Sequence, residues 1–338
     1  MLAVVLAACG SSSKSATSAA KTSSKPVTLR LAYFPNVTHA PAIVGVQSGR
    51  FQSALGSNVT LKLSTFNAGS DVVTAILAGA LDASFVGPNP AINSYQKTNG
   101  GVRVVSGTAS GGAFFVVKPS INSAADLKGK KVASPQLGNT QDVALRTWLK
   151  DHSLNTTTTG GGDVSVIPQD NATTLTAFQA GQIAGAWVPE PWATRLVKEG
   201  GGKVLVDEAT LWPQGKFTTT TLVVTKKFLD AHPDVVQHLI QGLDDSIAYI
   251  KSNPTQAEQL VSTGIGKVTG KPLKTSLIDS SFKSITFTLD PIASSLQTSA
   301  DHAKALGLLK SSDLGNIFDF TLANKVLKAK GEPELRTP

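Results

Sequence analysis

The sequence is short of cysteine, of aromatic residues and of any block of charge, and each shortage removes a class of explanation. Cys9 is the one cysteine in 338 residues, so the body of the chain holds no disulfide framework, thiolate metal cluster or cysteine nucleophile. Aromatic residues make up 6% and charged residues 16%. Lys and Arg outnumber Asp and Glu by 31 to 23, a net +8, yet no basic run is longer than the pairs Lys130-Lys131 and Lys226-Lys227. A scattered excess is not the basic stripe that nucleic acid requires, and no nucleic-acid partner is expected. It favours the approach of small anions or contact with an anionic membrane surface, and names neither. No segment reaches the roughly 18 consecutive apolar residues of a membrane span. The histidines His39, His152, His232, His238 and His302 lack helical ligand spacing, and G-x-x-x-x-G-K-[ST], G-x-S-x-G and G-x-G-x-x-G do not occur. No metal, cofactor or catalytic cluster is therefore expected.

What remains is a globular composition. At 41% hydrophobic, the chain is long enough for two domains with separate cores. Leu6-Ala7-Ala8-Cys9-Gly10 ends a short apolar run and has the form of a lipoprotein processing box, although Met1-Leu2 brings no basic residue. Residues 1–9 are read as a signal segment with Cys9 as the lipidation site. Residues 10–25, rich in Ser, Ala, Thr and Lys, are read as a flexible tether. Together they predict an extracytoplasmic protein anchored to a membrane by lipid.

From residue 26 the pattern is strand, polar turn, helix. Val27 to Phe34 alternates as a strand, stops at Pro35-Asn36 and hands over to a helix after His39-Ala40-Pro41. Val59 to Phe66 repeats the plan with the turn Asn67-Ala68-Gly69-Ser70-Asp71. Repetition of this unit predicts parallel strands with crossover helices and a ligand at the strands' carboxyl ends. Ala78-Gly79 through Phe85-Val86-Gly87-Pro88-Asn89-Pro90 aligns with Ala180-Gly181 through Trp187-Val188-Pro189-Glu190-Pro191. Two copies about 100 residues apart suggest two lobes on one plan rather than a solenoid. The expected division is lobe 1 at 26–112 and 222–330, lobe 2 at 113–221, and a polar tail at 331–338. The hinge is expected near Gly111-Gly112 and Thr220-Thr221.

The stretch Pro135-Gln136-Leu137-Gly138-Asn139-Thr140-Gln141-Asp142 lies between a short strand and a helical run. Free amides at a helix start suit a small anion; the same octet also fits an ordinary cap by Asn139 or Thr140. Glu190, held between two prolines and flanked by Trp187 and Trp192, could orient an ammonium, close an interlobe contact or belong to a structural turn with core tryptophans. Neutral groups at strand ends (Asn36, Asn67, Ser70, Asn89, Asn139, Thr140, Gln141) suit reversible anion capture.

The run Tyr33 to Ala42, the turn Val86 to Asn93, the octet and Trp187-Val188-Pro189-Glu190-Pro191-Trp192 together resemble the substrate-binding proteins of ABC importers, in the aliphatic-sulfonate, taurine and nitrate branch. The resemblance covers Leu29 to about Tyr249. It implies an α/β, two-lobe periplasmic binding protein type II fold, each lobe a mainly parallel sheet flanked by helices. It further implies a non-enzymatic monomer that closes on a small anionic ligand and delivers it to a permease and its ATPase. Carried over onto this sequence, the candidate ligand-binding residues are Asn36, Thr38, His39, Asn67, Gly69, Ser70, Gly87, Asn89, Gln136, Asn139, Thr140, Gln141, Trp187, Glu190 and Trp192. An aliphatic sulfonate or taurine leads. The alternatives are nitrate, a thiamine-precursor pyrimidine, a sensor, or an enzyme of pyrimidine or cofactor precursor synthesis on the same fold.

Overall fold

The structure is a computed structural model and describes residues 26–337. The signal segment, Cys9 and the tether expected at 10–25 lie outside the described residues. Strands β1 (Val27–Tyr33), β2 (Val59–Thr65), β3 (Ala83–Val86) and β4 (Val102–Gly111) come first. The chain then builds a second sheet from β5 (Ala113–Val117), β6 (Lys131–Ser134), β7 (Ser165–Pro168), β8 (Gly185–Pro189) and β9 (Lys203–Asp207). It returns through β10 (Thr218–Thr225) and β11 (Ile285–Phe287). The larger sheet has the order β11-β4-β10-β3-β1-β2 and the smaller β7-β6-β8-β5-β9.

This is the two-lobe, type II binding-protein architecture, with one difference in detail. The sheets are mixed rather than mainly parallel. The crossover units pair parallel, as in β1 with β2 and β3 and β6 with β7 and β8. The strands entering and leaving the smaller lobe pair antiparallel, as in β10 with β3 and β4 and β5 with β8 and β9. A chain that crosses to a second lobe and back must return in the opposite direction. In the larger sheet Thr218 is the register partner of Ser110, so the passage out lies at Gly111-Gly112 and the passage back just before Thr218, with Thr220 and Thr221 already paired in the sheet.

Each sheet divides two apolar clusters by alternation of side chains. Leu29 and Leu31 of β1, Phe85 of β3 and Leu222 and Val224 of β10 share one face with the long helix Pro233–Ser252. Ala32, Val86 and Val223 face the other side, toward Leu296 and Ala300 of helix Ala293–Ala305. In the smaller lobe Phe115, Val132 and Trp187 face one way and Val116, Ala133, Ala186 and Val188 the other. Burying each large aliphatic or aromatic side chain stabilises by roughly 1.5–3 kcal/mol, before the cost of ordering it.

The internal similarity seen in the sequence has a structural counterpart. Helices Gly69–Leu77 and Asn171–Gln179 both end on a glycine in the left-handed region, Gly79 (φ 67°) and Gly181 (φ 73°). The closing bonds match: Gly79 N–H donates to Ile76 O and Ala80 N–H to Ala75 O, while Gly181 N–H donates to Phe178 O and Gln182 N–H to Ala177 O. Each turn then feeds a buried strand, β3 or β8. Among the described residues no helix is long and apolar enough to cross a membrane.

Gly111 sits at the outward passage with φ 82°, and a Cβ there would lie 2.5 Å from the Ser284 carbonyl oxygen. Gly111→Ala is expected to lower stability by about 1–3 kcal/mol, since backbone strain and a backbone clash add. Chemical denaturation checks this, and an unchanged midpoint would show that the passage can relax at no cost.

Candidate functional site

Five helices begin at one place between the lobes. Three belong to the larger lobe: Ala40–Gln47, Gly69–Leu77 and Pro88–Lys97. Two belong to the smaller: Thr140–Asp151 and Asn171–Gln179. Four of them carry no side-chain cap; Asp170 alone caps its helix, accepting from Thr173 N–H. Each start follows a strand that ends at the cleft, so the sheets' carboxyl edges aim the helix dipoles inward. The capping alternative for the octet finds no support, because Asn139 makes no capping bond and the Thr140 hydroxyl has no partner.

The space they enclose is small, with about 30 Å³ of free volume, room for one or two waters. Asn36, Thr38, His39, Asn67, Gly69, Gly87, Asn139, Thr140 and Gln141 line it, all of them sequence candidates. Phe34, Asn171 and Thr219 also line it and were not singled out by the sequence reading. Among the described residues no Asp, Glu, Lys or Arg contributes to the wall. Two buried polar atoms on that wall lack partners, Thr140 Oγ1 and Asn171 Oδ1. Orphaned buried groups are costly, and both belong to residues of the cavity wall.

His39 is a neutral group of this wall. Burial pushes its imidazole down to about 3, and the ring stacks on Phe34 with centroids 4.6 Å apart. Its Nδ1 accepts from Phe34 N–H at 3.3 Å, which places the neutral ring's proton on Nε2.

Two glycines let the lobes meet. A Cβ on Gly87 would lie 2.5 Å from Thr140 Oγ1 of the other lobe; one on Gly69 would clash first with the Pro90 ring of its own lobe and lie 2.8 Å from Asn139 Oδ1 across the seam. Behind Thr140, Asp142 fixes the octet by accepting from Ser134 Oγ (2.6 Å), Gly138 N–H (2.9 Å) and Arg146 Nε (3.0 Å). Four successive threonines of β10, of which Thr219 lines the cavity, bind backbone carbonyls of neighbouring segments. Thr218 donates to Pro291 O, Thr219 to Gly111 O, Thr220 to Thr38 O and Thr221 to Val86 O.

The remaining candidates lie off the cavity wall. Gln136 bridges the lobes, its Oε1 accepting from Ser70 N–H (3.0 Å) and Ser70 Oγ (2.5 Å). Trp192 donates its indole N–H to Asn36 Oδ1 at 2.9 Å, a second bridge. Glu190 does not face the cavity: its carboxylate accepts from Thr194 N–H and Oγ1 and, across the lobes, from Ser281 Oγ at 3.1 Å. Burial raises its pKa, partly offset by the Thr194 and Ser281 bonds. Trp187 is no ligand wall. It is fully buried in the smaller lobe, stacked on Phe115 at 5.5 Å, and its N–H donates to Glu208 Oε2 at 2.7 Å. Asn89 points away and donates to Ser299 O. Among the described residues no group of three or more His, Cys, Asp or Glu could hold a metal.

A cleft between two α/β lobes, walled by neutral donors at helix starts, defines the class: a two-lobe solute-binding fold of type II. Residues 22–265 match the NMT1-like family, and the chain belongs to it. The taurine-binding periplasmic protein of Escherichia coli K12 is 28% identical over 215 residues, which are 63% of this chain and 64% of that relative. The alignment thus spans less than two thirds of the relative's length. Among solved structures, the alkanesulfonate-binding protein of Xanthomonas axonopodis pv. citri, bound to MOPS, superposes with a TM-score of 0.70 at 18% identity, covering 86% of this chain and 97% of that one. The periplasmic nitrate-binding protein of Synechocystis PCC 6803 superposes with 0.74 at 16% identity, over 90% and 89%. At these identities the structural matches establish the fold.

The His39 value gives a signed expectation. The folded ring titrates near 3 and the unfolded one near 6.5, so between these values the unfolded chain binds more protons and stability falls as pH falls. His39→Gln should flatten the stability profile across that window relative to the parent chain. Denaturant midpoints measured between about pH 6.5 and pH 4 check it, and parallel profiles would refute the buried neutral ring.

Proposed function

We propose that this chain is the extracytoplasmic solute-binding component of an ABC importer, capturing a small anion between its lobes and delivering it to a permease driven by an ATPase. An aliphatic sulfonate or taurine is the leading ligand. The observation that carries the reading is the convergence of five helix starts on a buried wall with no charged side chain, where Thr140 Oγ1 and Asn171 Oδ1 lack partners. Such a wall attracts negative charge through amides and dipoles and releases it again, as a transporter requires. The taurine-binding relative supports the ligand class, and the NMT1-like membership supports the role. In this reading the protein is a non-catalytic monomer held at the membrane by lipid on Cys9.

A compact oxyanion such as nitrate is the second reading. The small free volume of the cavity, about 30 Å³, favours it.

In a thermal-shift series on residues 26–338, one of alkanesulfonate, taurine, nitrate or sulfate should raise the melting temperature, because a ligand selective for the native state stabilises it. Thr140→Val should then weaken that ligand by about tenfold, as expected for loss of one hydrogen bond to an anion, with the melting temperature of the free protein little changed. An undiminished affinity in the variant would remove the helix start of 140–151 from the site.

A further inference from the structure

At the mouth of the interlobe cavity lies a second, larger one of about 550 Å³. Both are walled by Asn36, Asn67 and Asn171, so the larger opens directly beside the smaller. Its walls come from both lobes. Leu273 and Leu277 of the larger lobe and Trp192 of the smaller give it apolar surface. A bare inorganic anion held at the helix starts would use none of it.

The charges on this wall are unequal in their freedom. Asp170 is occupied by Thr173, accepting its N–H at 2.9 Å and its hydroxyl at 2.8 Å. Glu199 is paired with Arg195 at 3.0 Å, and that guanidinium lies over the Trp192 ring, 4.7 Å from its centroid. Lys271 and Lys274 line the same cavity on the link between helices Pro254–Thr269 and Thr275–Phe282. Both are exposed, and neither forms an ion pair among the described residues. A distal ammonium would therefore meet only occupied carboxylates. A distal acid would meet two free ammonium groups.

We propose that this mouth cavity receives the body of the ligand, and that the ligand is an organic dianion: a small anionic head at the helix starts, a short apolar spacer and a second acidic group at Lys271 and Lys274. The inference rests on the anion-capture reading above and narrows its substrate class. It departs from taurine, whose far end is cationic.

The test is calorimetric titration of residues 26–338, unfolded, dialysed and refolded to strip any co-purified ligand. Three matched series of increasing chain length are compared: alkanesulfonates, the same with a terminal carboxylate, and the same with a terminal ammonium; nitrate is added. The carboxylate member is expected to bind about tenfold more tightly than the plain alkanesulfonate of equal length at one optimal length. In the double variant Lys271→Gln, Lys274→Gln that advantage should fall below about threefold while plain alkanesulfonates bind as before. Equal affinity for all three termini, preference for the ammonium, or an advantage that survives the double variant would overturn the proposal and leave the anion site standing. If no compound including nitrate binds, the anion site fails and this inference fails with it.

Discussion

The structure is organised by one electrostatic arrangement: the positive ends of helix dipoles and neutral polar side chains converge on a buried cleft whose wall, among the described residues, carries no charged side chain. Partial charges at helix starts decay within about a turn, so the arrangement works only if the helices begin at the wall itself. The sheets enforce that. Each of these helices starts within a few residues of a strand's end, as Ala40 follows Tyr33 and Thr140 follows Ser134. Gly69 and Gly87 then supply the lack of side chains that lets the two lobes approach. A Cβ at Gly87 would press on the Thr140 hydroxyl of the other lobe, and one at Gly69 would meet the Pro90 ring of its own lobe before reaching Asn139.

The seam between the lobes is polar and dispersed. Gln136 with Ser70, Trp192 with Asn36, Glu190 with Ser281 and Lys198 with Ser280 each span it. These are isolated contacts of one or two hydrogen bonds, each bond worth about 1 kcal/mol net, rather than a shared apolar core. The four clusters of buried apolar side chains keep to their own sheets, apart from Val143 of the smaller lobe, which packs with a cluster of the larger. Stability thus resides in the lobes, and the contact between them is weak enough to be remade.

Much of this was legible in the residues. The strand, turn and helix units of 27–47 and 59–77 could be read because apolar alternation stops at polar turns. The third and fourth cavity loops could be read from Gly87-Pro88 and from the octet. Asn171 escaped notice because its strand β7 is four residues long, ends in proline and follows a glycine run. Trp187 misled because a buried strand with side chains packed on both faces has no polar side to orient it; Ala186, Trp187 and Val188 are all fully buried. Glu190 does lie in a turn between two prolines, but composition could not say that Thr194 and Ser281, near and far in sequence, would consume its oxygens. The threonines 218–221 carry no motif, and their role emerges only from which carbonyls pass beside them.

Ser110 and Thr218 occupy one rung of the larger sheet. Seen from that sheet, the whole smaller lobe is a loop that leaves and re-enters at a single point. Loop-closure entropy rises only by about 0.6 kcal/mol for each doubling of length, and this loop brings its own core. The topology is that of a cassette: half of the cavity wall, including Asn139, Thr140 and Asn171, arrives on an excursion that the host sheet would close in the same way around a different insert. The side chains on that half can change without re-pairing a strand of the other.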